Sequence, residues 1–193
     1  GGIGSLVGLI RAFPQLIRLG LTGDPHGVSI DTTGTSSAIS FGWASYGFLS
    51  DQLPVALATL SSGVVFLLIT VMGVSLGRRM SEMKTAAVWA VVLLVVGAIW
   101  REEGLGILLP LSILVGNVPQ LVTAYRESDL TGLSVGTWMF SVVDGLVWGA
   151  YSVVTGDRSI AAFGILQTTT SSLIVARRLA WGRRRRPAPS MAG

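Results

Sequence analysis

Apolar residues dominate seven stretches of the chain, and short polar or charged segments separate them. The stretches cover residues 3–21, 29–50, 53–77, 85–100, 104–125, 133–155 and 159–176. Each is close to the ~20 residues that a helix needs to cross a lipid bilayer. The pattern therefore predicts an all-α integral membrane protein with seven transmembrane helices.

The composition favours the same class of protein. Half of the 193 residues are hydrophobic and only 12% are charged, whereas a soluble domain has about 25% charged residues. The chain has no Cys and one His, so it lacks the residues for a disulfide or a zinc site. We find no Walker loop, dinucleotide fingerprint or catalytic triad either, and we expect no catalytic residue, metal or cofactor. The sequence does not predict an enzyme.

One stretch of sequence occurs twice. The first copy contains Pro14-Gln15, Gly27-Val28-Ser29 and Trp43 with Tyr46; the second contains Pro119-Gln120, Gly132-Leu133-Ser134 and Trp148 with Tyr151. Every landmark recurs 105 residues later, and a constant offset without gaps indicates a duplication. Stretch 85–100 has no counterpart in the repeat. One extra helix gives both copies the same orientation, so the sequence predicts two parallel three-helix bundles joined by a linker helix (3+1+3).

This arrangement predicts the domain boundaries and the sidedness of the chain. The first bundle covers 1–77, the charged loop and linker helix 78–103, the second bundle 104–178, and a basic, disordered tail 179–193. Loops on the C-terminal side contain most of the Arg and Lys residues, including Arg183–Arg186. The positive-inside rule therefore places the C-terminus in the cytoplasm and the N-terminus outside, with the plasma membrane as the expected location. We expect the basic tail to contact anionic lipid rather than nucleic acid.

The repeated landmarks resemble those of a known family. Pro-Gln in a first helix, Gly-x-Ser after a loop and Trp-x-x-Tyr in a second helix are similar to the motif of the PQ-loop superfamily. Two such bundles joined by a linker helix resemble the SWEET sugar transporters, and each copy resembles a bacterial SemiSWEET, which works as a dimer. The resemblance covers about residues 3–176. It implies alternating-access transport of a small neutral solute, with a sugar expected; a homo-oligomer remains open.

The resemblance also implies where the helices bend. In the family the Pro of the Pro-Gln pair acts as a hinge, which corresponds here to Pro14 with Gln15 and to Pro119 with Gln120. The physical reason is that each Pro removes one backbone hydrogen bond, so the helix bends there more easily.

The solute pocket is implied residue by residue. The family's second-helix Trp corresponds to Trp43 and Trp148, whose indole faces would stack on a sugar ring. The family's third-helix Asn is replaced by Thr59 in the first copy and by Gly164 in the second. Nearby polar side chains would then supply the missing hydrogen bonds. The substrate-binding residues are expected to be Trp43, Thr59, Asn117, Trp148 and Gln167. Tyr46 and Tyr151 are candidates for an outer gate, or for interface anchors.

Two charged residues lie inside apolar stretches. Asp144 is midway along the sixth stretch and Arg11 is midway along the first. A charge in the bilayer centre costs at least ~2.5–3.5 kcal/mol, so Asp144 should face the bundle interior or be protonated. One interpretation is proton coupling through Asp144 or a coupled pair; the other is a structural ion pair, or an Arg11 that reaches towards the interface.

Three functions remain open at this point. A SWEET-like facilitator of a neutral solute is the first hypothesis. The second is a proton-coupled PQ-loop transporter that moves an amino acid or a related solute and uses Asp144. The third is a receptor or scaffold of the same fold without transport activity, although two Pro-Gln hinges favour transport.

Overall fold

The structure is a computed structural model, and it describes residues 13–184. All regular elements in that range are helical. Helix α1 covers residues 13–22, and α2 (Ile30–Leu49), α3 (Leu53–Ser75), α4 (Lys84–Arg126), α5 (Val135–Thr155) and α6 (Arg158–Arg184) follow, with one 3-10 turn at Met80–Glu82. The prediction of an all-helical protein is thus confirmed for this part of the chain.

Four of these helices are long and apolar enough to cross a membrane. They are Leu53–Ser75, Lys84–Arg126, Val135–Thr155 and Arg158–Arg183, which agrees with an integral membrane protein but not with the predicted count of seven spans. Helix α2 is long enough but contains seven Ser and Thr residues, which lower its hydropathy. Only ten residues of α1 are described, and 85–100 and 104–125 join into one 43-residue helix.

The long helix α4 contains one break in its backbone. Arg101 has φ 47° and ψ −137°, so α4 consists of segment α4a (84–100) and segment α4b (102–126). A Cβ on Gly104 would lie 2.7 Å from the Cβ of Trp100 and 2.8 Å from Cγ1 of Val96. Glycine at 104 therefore lets α4b begin directly against the end of α4a.

We predict that Arg101→Gly stabilises the protein by about 1 kcal/mol. A residue with a side chain loses roughly 1–3 kcal/mol in such a backbone conformation, which glycine adopts without strain, although glycine loses more entropy on folding. The exposed contact between Arg101 Nε and Glu102 Oε2, at 3.4 Å, offsets little of this strain. Thermal unfolding in detergent should show a higher midpoint for Arg101→Gly. An equal rise for Arg101→Ala would contradict the explanation, because alanine keeps the strain.

The chain divides into two compact units, Gly1–Leu109 and Pro110–Gly193. In unit 1, Leu19 of α1 and Val28 of the following turn pack on Val65 and Ile69 of α3 in an apolar core. Burial of these four side chains, each at most 6% exposed, stabilises the contact through the hydrophobic effect.

Helix α2 also packs along α3, and this contact is partly polar. The hydroxyls of Thr33 and Thr70 are 2.8 Å apart, and Ser37 Oγ donates to the carbonyl oxygen of Gly63 at 3.0 Å. Hydroxyls bonded in this way are the kind of contact that joins helices inside a bilayer. The third helix of unit 1 therefore contacts both the first and the second.

Unit 2 has the same arrangement of contacts. Segment α4b meets α6 through Asn117, which is hydrogen-bonded to α6 side chains, and α5 packs along α6. The repeated sequence also begins the second helix of each unit in the same way. Ser29 Oγ accepts from Thr32 N at 3.2 Å, and Ser134 Oγ accepts from Thr137 N at 3.3 Å. The repeated Gly-x-Ser is thus the N-cap of α2 and of α5, a role for which Ser is favoured.

Candidate functional site

The Trp and Tyr of the repeated motif form the same pair in both units. The rings of Trp43 and Tyr46 meet edge to face with centroids 5.5 Å apart and planes at 87°. Those of Trp148 and Tyr151 do so at 5.7 Å and 81°. Such edge-to-face pairs fix the orientation of both rings. Trp43 is 6% exposed and Trp148 is 8% exposed, so both indoles are covered in this conformation.

The two positions that replace the family's Asn differ in the structure. Thr59 is half-buried on α3, and its hydroxyl donates to the carbonyl oxygen of Val55 at 2.8 Å. A Cβ on Gly164 would lie 2.8 Å from both the Cα and the N of Gly149, and 2.9 Å from the carbonyl oxygen of Gly145. The backbone of α5 therefore occupies the space that a side chain at 164 would need. Unit 2 cannot present a polar side chain from this position.

A buried polar cluster lies elsewhere in unit 2. Nδ2 of Asn117 donates to Oε1 of Gln167 at 3.1 Å and to Oγ1 of Thr170 at 2.7 Å. The exposed fractions of the three residues are 9%, 5% and 8%. Within residues 13–184, neither the side-chain Oδ1 of Asn117 nor the side-chain Nε2 of Gln167 makes a hydrogen bond. One acceptor and one donor therefore remain for a polar ligand. The structure brings together two residues that the sequence predicted to bind solute.

The two Pro-Gln pairs differ in how much of their surroundings is described. Pro119 lies inside α4b, where the missing N–H interrupts the helix ladder, and both Pro119 and Gln120 are exposed. Pro14 and Gln15 are the second and third described residues of α1, with Pro14 exposed and Gln15 half-buried. Segment α4b also contains the buried Pro110, which the repeat did not point to because the first copy has no Pro at that position.

Asp144 lies half-buried in the middle of α5. It precedes Gly145 on the side of α5 where Ser141, Gly145 and Trp148 are buried. The predicted partner Arg11 is outside the described residues, so the proposed pair stays a prediction. No group of three or more His, Asp or Glu side chains within 13–184 is placed to hold a metal ion.

Asp31 has a structural role that the sequence did not indicate. Its Oδ1 accepts a hydrogen bond from the backbone N of Ala86 at 2.9 Å, so α2 caps the first turn of α4a across 55 residues of sequence. A carboxylate at a helix N-terminus is favourable because it satisfies an orphan N–H and faces the positive end of the helix dipole. This contact ties the linker region to the first bundle.

The single His lies in the turn between α1 and α2. The backbone N of His26 donates to Oδ1 of Asp24 at 2.9 Å, and this bond lowers the pKa of the Asp24 carboxyl below 3.8, helped by Nδ1 of His26 at 2.7 Å. Arg18 donates to the carbonyl oxygen of His26 at 2.8 Å. The His26 side chain is 94% exposed, so this local network serves the turn.

Comparisons with known proteins leave the site to be interpreted from its own geometry. A scan against protein-family models and a search of curated proteins each find no match for this chain.

Proposed function

We propose that the chain is a SWEET-like transporter that moves a small neutral solute, with a sugar as the first candidate, by alternating access between two three-helix bundles. The observation that carries this proposal is the repeated packing of the two units. In each, the third helix contacts the other two, a Ser caps the second helix, and the second helix presents an edge-to-face Trp–Tyr pair. Duplicated bundles of the same orientation are a common architecture of transporters.

The proposal includes a 3+1+3 arrangement of membrane spans. The break at Arg101 supports it, because α4a then serves as the linker span and α4b as the first helix of the second bundle. Helix α2 would cross the membrane despite its Ser and Thr residues. The hydroxyls of Thr33 and Ser37 bond to α3, and that of Thr33 also contacts the backbone at the start of α2, which reduces the cost of placing these two side chains in lipid.

The chemistry of the candidate residues suits an uncharged, hydroxyl-rich solute. Indole faces at Trp43 and Trp148 would stack on the C–H face of a sugar ring. Asn117 and Gln167 would offer one acceptor and one donor to its hydroxyls. Because both indoles are buried here, the proposed cycle requires a second conformation in which an indole face is accessible.

Counterflow in proteoliposomes loaded with a panel of sugars and amino acids tests this function. We expect exchange of a sugar by the wild type, and a roughly tenfold higher half-saturating concentration for Trp148→Leu, which keeps apolar volume but loses the aromatic face. The matched control is Trp100→Leu, because Trp100 is 57% exposed at the end of α4a. Equal effects of the two substitutions would argue against a solute-facing Trp148.

The position of Asp144 supports a second candidate function, transport coupled to a proton. A half-buried carboxyl in the middle of a candidate membrane span is typical of proton relays. Exchange that depends on pH and is lost in Asp144→Asn would favour this candidate and an amino acid or related solute. Exchange that is independent of pH and unchanged in Asp144→Asn would leave Asp144 with a structural role only. No exchange of any solute by folded protein would instead favour a receptor or scaffold.

A further inference from the structure

Basic and aromatic side chains meet in unit 2 where two candidate membrane spans end together. Lys84–Arg126 and Arg158–Arg183 both reach this end. The guanidinium carbon of Arg177 lies 5.8 Å from the centroid of the Tyr125 ring. Tyr125 is 56% exposed and Arg177 is half-buried. Aromatic residues at the end of a span lie at the level of the lipid headgroups.

A second stacked pair fixes the loop between α4b and α5. The guanidinium carbon of Arg178 lies 4.6 Å from the centroid of the Trp181 ring. Nε1 of Trp181 donates to the carbonyl oxygen of Ser128 at 2.8 Å, and Nε of Arg178 donates to that of Leu133 at 3.3 Å. These contacts join the loop to α6 and hold Arg178 in place, so its remaining N–H groups are pre-organised.

Within the described residues, no ion pair neutralises the arginines of this cluster, which consists of Tyr125, Arg177, Arg178 and Trp181. Among residues 13–184, neither Arg177 nor Arg178 has a carboxylate oxygen within 4.0 Å of a side-chain nitrogen. Exposed Arg126 and Arg183 add two positive charges, and the acidic residues of the adjoining loop are Glu127 and Asp129. Oδ1 of Asp129 accepts from the backbone N of Thr131 at 3.0 Å. The cluster therefore keeps an excess of positive charge at headgroup level.

The same contact exists in unit 1 without this chemistry. The positions equivalent to Tyr125 and Arg177 are Gly20 and Met72, and a Cβ on Gly20 would lie 3.8 Å from Cε of Met72. The first and third helices thus approach each other here in both units. An uncharged Gly–Met pair suffices for that packing in unit 1. The aromatic–arginine pair of unit 2 therefore indicates a role other than helix packing.

We propose that Tyr125, Arg177, Arg178 and Trp181 form a binding site for the headgroup of an anionic phospholipid. Arginine suits this role because its planar guanidinium stacks on an aromatic ring while its outer N–H groups bind phosphate oxygens. The aromatic rings would pack against the glycerol and upper acyl region, where Trp and Tyr are favoured. Exposed Arg126 and Arg183 strengthen the attraction to an anionic leaflet.

Native mass spectrometry of the full chain in neutral detergent tests the site with phosphatidylglycerol and phosphatidylcholine as probes. We expect preferential binding of phosphatidylglycerol, weakened about five-fold in Arg177→Met, because each arginine near an anionic surface contributes about that factor. The Met reproduces the residue that unit 1 uses at this contact. The matched control is Arg158→Met at the opposite end of α6, which should bind the lipid like the wild type.

Three outcomes would overturn the proposal. These are equal binding of the two lipids by the wild type, equal losses in Arg177→Met and Arg158→Met, and displacement of phosphatidylglycerol by an excess of inorganic phosphate, which would indicate a site for free anions. If Arg177→Met unfolds, Arg178→Gln provides the same test, since glutamine can still donate to the loop carbonyl while losing the charge. Binding of the lipid by folded Arg178→Gln as tight as by the wild type would equally contradict the site.

Discussion

Gly164→Ala is expected to destabilise unit 2 by about 3 kcal/mol, whereas Gly149→Ala, on the facing helix, should be tolerated. An added Cβ at 164 would overlap the backbone Cα and N of Gly149, each at 2.8 Å, and backbone atoms cannot rotate away as a side chain can. Helices α5 and α6 would have to separate, and overpacking of this kind typically costs 1–3 kcal/mol or more. Nothing lies within 4 Å of a Cβ added at Gly149, and alanine favours a helix by about 1 kcal/mol over glycine.

The two substitutions form a matched pair for thermal unfolding in detergent. Both replace a helical glycine of the same interface by alanine, so they share any general effect of losing a glycine. We expect a lower midpoint for Gly164→Ala and an unchanged or higher one for Gly149→Ala. Wild-type stability of Gly164→Ala would show that α5 and α6 are not as close as 2.8 Å. Equal destabilisation by both would point to glycine content rather than to this one contact.

The duplication explains how one interface is built from different residues. A Cβ on Gly63 of α3 would lie 3.3 Å from the Cβ of Ser40 on α2, so the glycine belongs to the third helix in unit 1. At the equivalent positions of unit 2 the glycine is Gly145 on α5, and a Cβ there would meet Oγ1 of Thr168 at 2.5 Å. The glycine thus lies on the third helix in unit 1 and on the second helix in unit 2, and the two helices approach closely in both units. Small residues at such contacts are typical of helices that pack in lipid.

Local sequence signals predicted much of the secondary structure. The expected stretches 29–50, 53–77 and 133–155 correspond within two residues to α2, α3 and α5. These boundaries are encoded nearby, by the N-cap serines and by Pro54 in the first turn of α3. The predicted stretch 159–176 is shorter than α6, which continues to Arg184, because apolar content ends before the helix does. The rest of the predicted tail lies outside the described residues.

Contacts between distant residues could not be predicted in the same way. The sequence identified Gly164 only as a position where the family's Asn is absent. Its role in the close packing of α5 on α6 depends on how near the two helices approach, which the sequence does not report. The bond from Asp31 to Ala86 joins residues that no periodicity connects. Asn117 and Gln167 were named separately as polar residues in apolar stretches, and only the packing of α4b on α6 shows that they are bonded. Four helices rather than seven meet the length and hydropathy of a membrane span, because α2 is rich in Ser and Thr, only ten residues of α1 are described, and stretches 85–100 and 104–125 form one long helix.

Replacement of the whole polar cluster should abolish most transport while preserving the fold. The corresponding residues of the first copy are Ala12, Ser62 and Val65, so Asn117→Ala/Gln167→Ser/Thr170→Val gives unit 2 the residues of unit 1. All members of the hydrogen-bonded group change together, which leaves no buried amide without a partner and keeps the cost in stability small. If Asn117 and Gln167 bind solute hydroxyls, each lost bond should raise the half-saturating concentration at least about tenfold.

The single variant Asn117→Ala separates the two roles of the cluster. It leaves the buried amide of Gln167 without its partner, so we expect it to lower stability by about 1–3 kcal/mol as well as to impair counterflow. The triple variant should unfold close to the wild-type midpoint and still fail to exchange solute. A triple variant that exchanges at the wild-type rate would show that the cluster only joins α4b to α6. The solute would then have to be bound by the aromatic pairs and Thr59, since the backbone of α5 excludes any side chain at position 164.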